Sequence, residues 1–153
     1  MKIPLDVKKT YKKSAGVRPF TNISIKSSRY RIYGNIEVLI DTGSEITTIS
    51  PRDITKLHIP LKIMKQENPL YSKIAGFKLP RFHLKTIDIK FITEENKLHT
   101  INSSQVDVLV ANDIKKEFLH IPSIIGTNFL ELNKLILYFD PYKKISYLES
   151  IDE

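Results

Sequence analysis

Past the first twenty residues the chain is a series of short runs rich in Ile, Val, Leu, Phe and Tyr, separated by turn residues. Thr21 to Ser27 alternates polar and apolar positions, with Ile23 and Ile25 on one face. Arg29 to Tyr33 alternates again through Tyr30 and Ile32, and Ile36 to Ile40 is apolar except for Glu37. From His83 to Ile92 the alternation shifts phase after Leu84 and resumes through Ile87, Ile89 and Phe91. Gln105 to Ala111 carries Val106, Val108 and Val110, and Leu135 to Phe139 and Ile145 to Leu148 flank the turn sequence Asp140-Pro141-Tyr142-Lys143. A period of two at this spacing predicts a β-rich domain. Two short helices are predicted beside the strands. Pro51 to Leu57 follows Ser50, a favourable N-cap with proline in the first helical position, and Thr127 to Asn133 follows Gly126. The chain does not alternate strands with long helices, so a doubly wound sheet is excluded.

Composition narrows the reading. In 153 residues, 41% are hydrophobic and 27% charged, which allows one packed domain and argues against bulk disorder. The absence of cysteine removes disulfide staples, thiolate metal sites and cysteine nucleophiles together. No apolar run reaches the ~20 residues needed to span a bilayer, and the basic start lacks the apolar stretch of a secretion signal. The expectation is a soluble, cytoplasmic protein.

The net charge of +7 is unevenly placed. Residues 1–34 hold nine basic residues and one acid, Asp6, whereas the remainder holds 15 basic and 16 acidic residues. The expected division is therefore a basic arm over residues 1–20, a domain over 21–149, and a short acidic tail over 150–153. The arm reads as a solvated segment, with contact to nucleic acid or an anionic surface as the alternative.

The chemistry concentrates in Val38-Leu39-Ile40-Asp41-Thr42-Gly43-Ser44-Glu45, where an apolar strand runs directly into a carboxylate. Gly43 permits a sharp turn and close approach, and Thr42 supplies a hydroxyl that can lock it. The arrangement holds an acid rigidly and partly out of water, as acid–base chemistry on water requires. Asp-Thr-Gly is also an ordinary turn sequence, so the second element matters: Pro122-Ser123-Ile124-Ile125-Gly126-Thr127-Asn128-Phe129-Leu130. The four histidines, His58, His83, His99 and His120, are dispersed without metal-ligand spacing, and no Gly-x-Ser-x-Gly elbow or phosphate-cradling loop is present.

Asp-Thr-Gly-Ser after an apolar strand, followed at domain-sized spacing by Ile-Ile-Gly and a short helix, resembles the retropepsin-like aspartic proteases over about residues 20 to 149. The resemblance implies a closed, mostly-β acid-protease barrel with one or two short helices, working as a symmetric homodimer without metal or organic cofactor. It implies that Asp41 is the catalytic acid, that Thr42, Gly43 and Ser44 support its loop, and that Glu45 lies near the substrate backbone. Ile124, Ile125 and Gly126 would form a strand crossing behind the loop, and Leu135 to Leu148 a hairpin contributing to the dimer sheet. A flap is expected between about Gln66 and Phe82, with its tip at Glu67-Asn68-Pro69 or, in closer resemblance, at Ile74-Ala75-Gly76-Phe77; Ile74, Ala75 and Gly76 would then touch substrate. The sequence departs from viral members in lacking a Gly-rich flap, in carrying Thr127 where they have an arginine, and in its longer spacing between the two motifs.

Two carboxylates sharing a proton are needed for this chemistry, and aspartic proteases are a standard instance of such a pair. The single Asp-Thr-Gly therefore implies a second copy of the chain, with an extended peptide as substrate. The alternatives are a catalytically inactive peptide-binding module of the same fold and a nucleic-acid-binding protein acting through the basic arm.

Overall fold

The computed structural model describes residues 1–64, 68–74, 76–111 and 116–151. Twelve strands form the sheet system: β1 (Lys2–Lys8), β2 (Arg18–Ser27), β3 (Ile32–Ile40), β4 (Thr47–Ile49), β5 (Leu70–Ile74), β6 (Phe77–Leu84), β7 (Ile87–Ile92), β8 (Leu98–Ser103), β9 (Val106–Leu109), β10 (Ser123–Ile125), β11 (Leu135–Asp140) and β12 (Ile145–Ser150). Two short helices accompany them, α1 (Leu61–Met64) and α2 (Thr127–Leu132), together with 3₁₀ turns at Pro51–Asp53 and Lys116–His120. No helix among the described residues is long and apolar enough to cross a membrane.

The hydrogen-bonded order is β11-β12-β1-β2-β3-β10-β4-β9-β6-β5, with β7 branching from β2 and pairing with β8. The expected closed barrel is therefore not formed: β11 and β5 end the path without meeting. The branch explains the departure. One edge of β2 is taken by β3 along its length, while the other is shared by β1, at Arg18 to Phe20, and by β7, at Ser24 to Lys26. The sheet splits at that point into two layers that enclose the core.

The core joins Ile23, Ile25, Ile36, Val38 and Ile40 of β2 and β3 to Leu84, Ile87, Ile89, Phe91 and Val108 from the opposing strands. Alternation is clean where a strand faces water on one side and is lost where it does not. In β3 the pattern is alternating through Ile36 and then continuously buried from Val38 to Ile40. That last stretch is flanked by β2 and by β10, which pairs with it in parallel from Ser123–Val38 to Ile125–Ile40. It therefore delivers the chain to Asp41 with little freedom.

Several boundaries differ from those read in the sequence. Arg29 to Tyr33 is not one strand: the chain turns at Ser28 to Arg31, where Arg31 takes φ 54°, and β3 begins at Ile32. The phase shift after Leu84 is a break between β6 and β7. Pro51 to Leu57 forms only a 3₁₀ turn, because Ser50 makes no side-chain cap. Its backbone N–H donates instead to Ser123 Oγ (2.9 Å), and the Ser123 hydroxyl donates to the buried Asp53 carboxylate (2.6 Å).

The largest difference lies at the start. The segment expected as a solvated arm is in its first part a strand joining β12 to β2, with Ile3 and Leu5 in the core. Only residues 9–17 form a loop. Ile3 is fully buried, so Ile3→Ala is expected to destabilise the protein by about 2–5 kcal/mol. Lys9→Ala, on the exposed loop, is expected to stay within about 0.5 kcal/mol of the parent. Urea unfolding of the two variants checks the contrast; equal, small effects would return β1 to the status of a dispensable arm.

Candidate active site

Asp41 follows the last residue of β3 and is half-buried. Its backbone N–H donates to Ile125 O (3.0 Å), continuing the β3–β10 pairing one residue beyond the strand. The loop then folds on itself. Gly43 N donates to Asp41 Oδ1 (2.9 Å), Ser44 N to Asp41 O (3.2 Å), and Ser44 Oγ to Ile46 O (3.0 Å). These bonds set the carboxylate against its own turn, with one oxygen engaged by a backbone donor. Thr42, Gly43 and Glu45 are exposed, and Ser44 is half-buried.

The second motif supports this loop from behind. Ile124 and Ile125 lie in β10, and Gly126 precedes α2. A Cβ at Gly126 would sit 2.7 Å from Ser44 O and 2.8 Å from both the carbonyl carbon and oxygen of Ile46. No side chain fits there, so glycine is required by close approach and not by its own φ of −95°. The first N–H groups of α2 then bond to the loop: Thr127 N donates to Ser44 O (2.8 Å) and Asn128 N to Glu45 O (3.2 Å). A short helix begins by giving two otherwise orphan donors to the turn that carries Asp41.

Asn128 completes the clamp, a role the sequence reading did not assign. Its Oδ1 accepts from Thr47 N (3.0 Å), Thr47 Oγ1 (2.7 Å) and Phe129 N (2.8 Å), while Nδ2 donates to Gln105 O (3.1 Å). Thr47 Oγ1 in turn accepts from Gly126 N (3.0 Å). One side chain thus ties β4, the β10–α2 junction and the start of β9 together. The available signal was an amide immediately after Gly-Thr at a helix start, which is a weak one.

The structure brings Asp41, Thr42, Gly43, Ser44 and Glu45 together with Ile124, Ile125 and Gly126. The residues expected in the flap are placed elsewhere on the sheet path. Ile74 and Phe77 pair across the β5–β6 turn, where Gly76 is exposed at φ 80°, a conformation that favours glycine. Of the two expected tip positions, Gly76 lies between β5 and β6, and Glu67 of the other lies outside the described residues. Ala75 lies outside the described residues. Ile74 and Phe77 pack on a small separate cluster with Leu79, Leu109 and Phe118.

Other polar groupings lie outside this loop. Asp107, largely buried, holds His83 Nδ1 at 2.7 Å and Arg81 Nε at 2.8 Å, and Arg81 Nη1 donates to Ser72 Oγ (2.7 Å). This group fastens the β5–β6 hairpin to β9. A cavity of about 640 Å³ lies at the other end of α2, floored by Ile101 and Leu135, and Asp41 does not line it. Among the described residues, no three His, Asp or Glu side chains are placed to hold a metal ion.

No family model matches the sequence, and no curated protein matches it. Among solved structures, the chain is similar to a retropepsin-like aspartic protease from Rickettsia conorii. The match has a TM-score of 0.53 and 15% sequence identity, and it covers 98% of this chain and 91% of that one. At that identity the likeness establishes a retropepsin-like fold.

The clamp generates a stability test. Asn128→Ala leaves Thr47 N–H without its acceptor in a partly buried position, with an expected cost of about 1–3 kcal/mol. Gly126→Ala forces the 44–46 backbone away from β10 and is expected to cost at least about 1–3 kcal/mol as overpacking. Thermal unfolding reads both, and a Gly126→Ala protein as stable as its parent would contradict the close approach.

Proposed function

We propose that the protein is an aspartic endopeptidase in which Asp41 from each of two copies of the chain forms the catalytic pair. The observation that carries this reading is the placement of Asp41, at the end of a buried strand and on a loop held by β10 and the first N–H groups of α2. The retropepsin-like fold supports it. So does the exposure of Thr42, whose hydroxyl makes no hydrogen bond among the described residues and is free to meet its symmetry equivalent.

The chemistry follows from two carboxyl groups holding one proton. The ionised group takes a proton from a water molecule, whose oxygen attacks the carbonyl carbon of the scissile bond. The protonated group donates a hydrogen bond to the carbonyl oxygen as it becomes an oxyanion. Collapse of the tetrahedral intermediate breaks the C–N bond, and the leaving nitrogen takes up the proton removed from water. No metal or organic cofactor enters. The substrate is an extended peptide pairing as an added strand, with Glu45 at its margin and the β5–β6 hairpin closing over it through Ile74, Ala75 and Gly76. The β11–β12 hairpin supplies apolar surface for the second copy, since Ile136 and Tyr138 of β11 and Ile145 of β12 are exposed.

The test is cleavage of an unstructured protein. Asp41→Asn keeps the acceptor for Gly43 N but cannot carry the shared proton, so cleavage is expected to fall by at least about 1000-fold while the fold is retained. Near-parental cleavage by Asp41→Asn refutes the proposal. A folded parent that binds peptides and never cleaves them selects the non-catalytic module instead.

Two copies and one proton make two further outcomes. Specific activity is expected to fall on dilution as the dimer dissociates, in step with the loss of dimer seen by sedimentation. The rate profile is expected to be bell-shaped, because the fully protonated pair has no base and the fully ionised pair has no donor. A rate that rises steadily to alkaline pH excludes the shared-proton mechanism.

A further inference from the structure

Apart from Lys2 at the start of β1, the fold separates the basic residues of the N-terminal fifth into two groups. Lys8, Lys9, Lys12, Lys13 and Arg18 belong to the β1–β2 loop and its stems. Lys26, Arg29 and Arg31 belong to the β2–β3 turn, at the opposite end of β3 from Asp41, about 27 Å along a strand of that length.

The turn is not a simple solvated tip. Tyr33, 62% exposed, lies stacked on the exposed His58 ring with centroids 4.8 Å apart and planes 23° from parallel. Lys26 is directly opposite Tyr33 in the β2–β3 register. The backbone of Lys56 and Leu57 is drawn against the same place: Tyr33 N donates to Leu57 O (3.3 Å), and Gly34 is needed because a Cβ would lie 2.7 Å from Lys56 O. On the other side, the Tyr30 hydroxyl accepts from Lys85 N (3.3 Å), and Arg29 covers the Tyr30 ring at 5.7 Å. Five exposed cations, Lys26, Arg29, Arg31, Lys56 and Lys85, therefore lie at this pole, which also carries an exposed two-ring platform. The carboxylates nearby are Asp88, half-buried opposite Lys26 and bonded to Asn102, and Asp53, fully buried and bonded to Ser123 with Lys56 at 3.7 Å.

An acidic protein would need only the cations. An aromatic face left in water beside exposed cations fits a ligand that has both a π-face and an anionic backbone. We propose that this pole of the molecule binds single-stranded nucleic acid, with a base stacking on the Tyr33 face and phosphates held by Arg29, Arg31 and the neighbouring lysines. The inference does not depend on the function of Asp41, which lies at the far end of the strand.

The experiment measures binding of a fluorescent single-stranded oligonucleotide, about 20 nucleotides long, to the full chain by anisotropy, from about 50 to 200 mM salt. The expected result is binding that weakens with salt. Arg29→Gln/Arg31→Gln is expected to weaken it about tenfold and to reduce the slope of log affinity against log salt by about 1.4, as the loss of two phosphate contacts requires. Tyr33→Leu is expected to weaken binding about tenfold with the slope unchanged, which a purely ionic surface would not show. If Tyr33→Leu fails to fold, His58→Asn removes the supporting ring at a backbone position (φ 55°) that asparagine tolerates and is expected to weaken binding in the same sense. Asp41→Asn is expected to bind as the parent does. No binding at the lowest salt overturns the proposal. So does a loss confined to a Lys9→Gln/Lys12→Gln/Lys13→Gln variant, which would place the contact on the β1–β2 loop. Displacement by polyglutamate as effective, charge for charge, as by the oligonucleotide would assign the surface to acidic protein and overturn it as well.

Discussion

The contact between Gly126 and the backbone of residues 44–46 is the constraint on which the rest of the site depends. At under 3 Å from a notional Cβ, it admits no side chain, and it brings the first N–H groups of α2 within reach of Ser44 and Glu45. Without it, the parallel pairing of β10 with β3 would end at Ile125, and the turn after Asp41 would have only its internal bonds to hold it. With it, three segments distant in sequence share one rigid backbone unit. Asn128 and Thr47 then fix the spacing of the layers, because a single amide oxygen serves three donors from two segments. Polar groups buried at this density are tolerated only when paired, so the network specifies the loop geometry as well as stabilising it.

The same logic divides the molecule by the type of force that orders it. The sheet interior is ordered by burial of Ile, Leu, Val and Phe from both layers, as the alternation of β2, β3 and β7 requires. The segment from β4 to the 3₁₀ turn is ordered by hydrogen bonds, through Ser50, Ser123 and Asp53. The β5–β6 hairpin is held more lightly. Its apolar contacts are a small cluster, and the Arg81–Asp107–His83 group fastens only its base to β9. Backbone pairing of Arg81 to Leu84 with β9 secures the same base, and Ile74 and Phe77 beside the turn rest on the small cluster.

What was legible in the sequence follows this division. Strands that face water on one side announce themselves by alternation, and Asp41 was visible because a carboxylate ends an apolar run. The break between β5 and β6 was visible in Gly76. β1 alternates as clearly as any strand, through Ile3, Leu5 and Val7, but its lysines and Pro4 disguised it as a solvated arm. β4 is three residues long and buried throughout, too short to show a period. In β8 only Ile101 and Ser103 are buried, so its pattern is faint. The open path of the sheet follows from β2 sharing one edge between two partners, a matter of tertiary register that no local pattern encodes. Asn128, Ser123 and Asp53 escaped notice because a buried polar side chain looks like a surface one until its partners are known.

The placement of the two chemically distinctive regions at opposite ends of β3 has a consequence for how they coexist. Under the proposed mechanism two carboxylates retain one proton, a state that a dense field of cations would disfavour by stabilising the doubly ionised form. Charges separated by the length of β3 are screened at ordinary ionic strength, because the Debye length of about 8–10 Å is well short of about 27 Å. The β2–β3 turn therefore carries Arg29, Arg31 and their lysine neighbours beyond the screening length from Asp41. The β1–β2 loop has no such distance. Arg18 lies at the start of β2, and extending the Phe20–Leu39 register by two residues sets it level with Asp41. Of the two basic groups, it is this one that lies nearer to Asp41, while the other is separated from it by the length of β3.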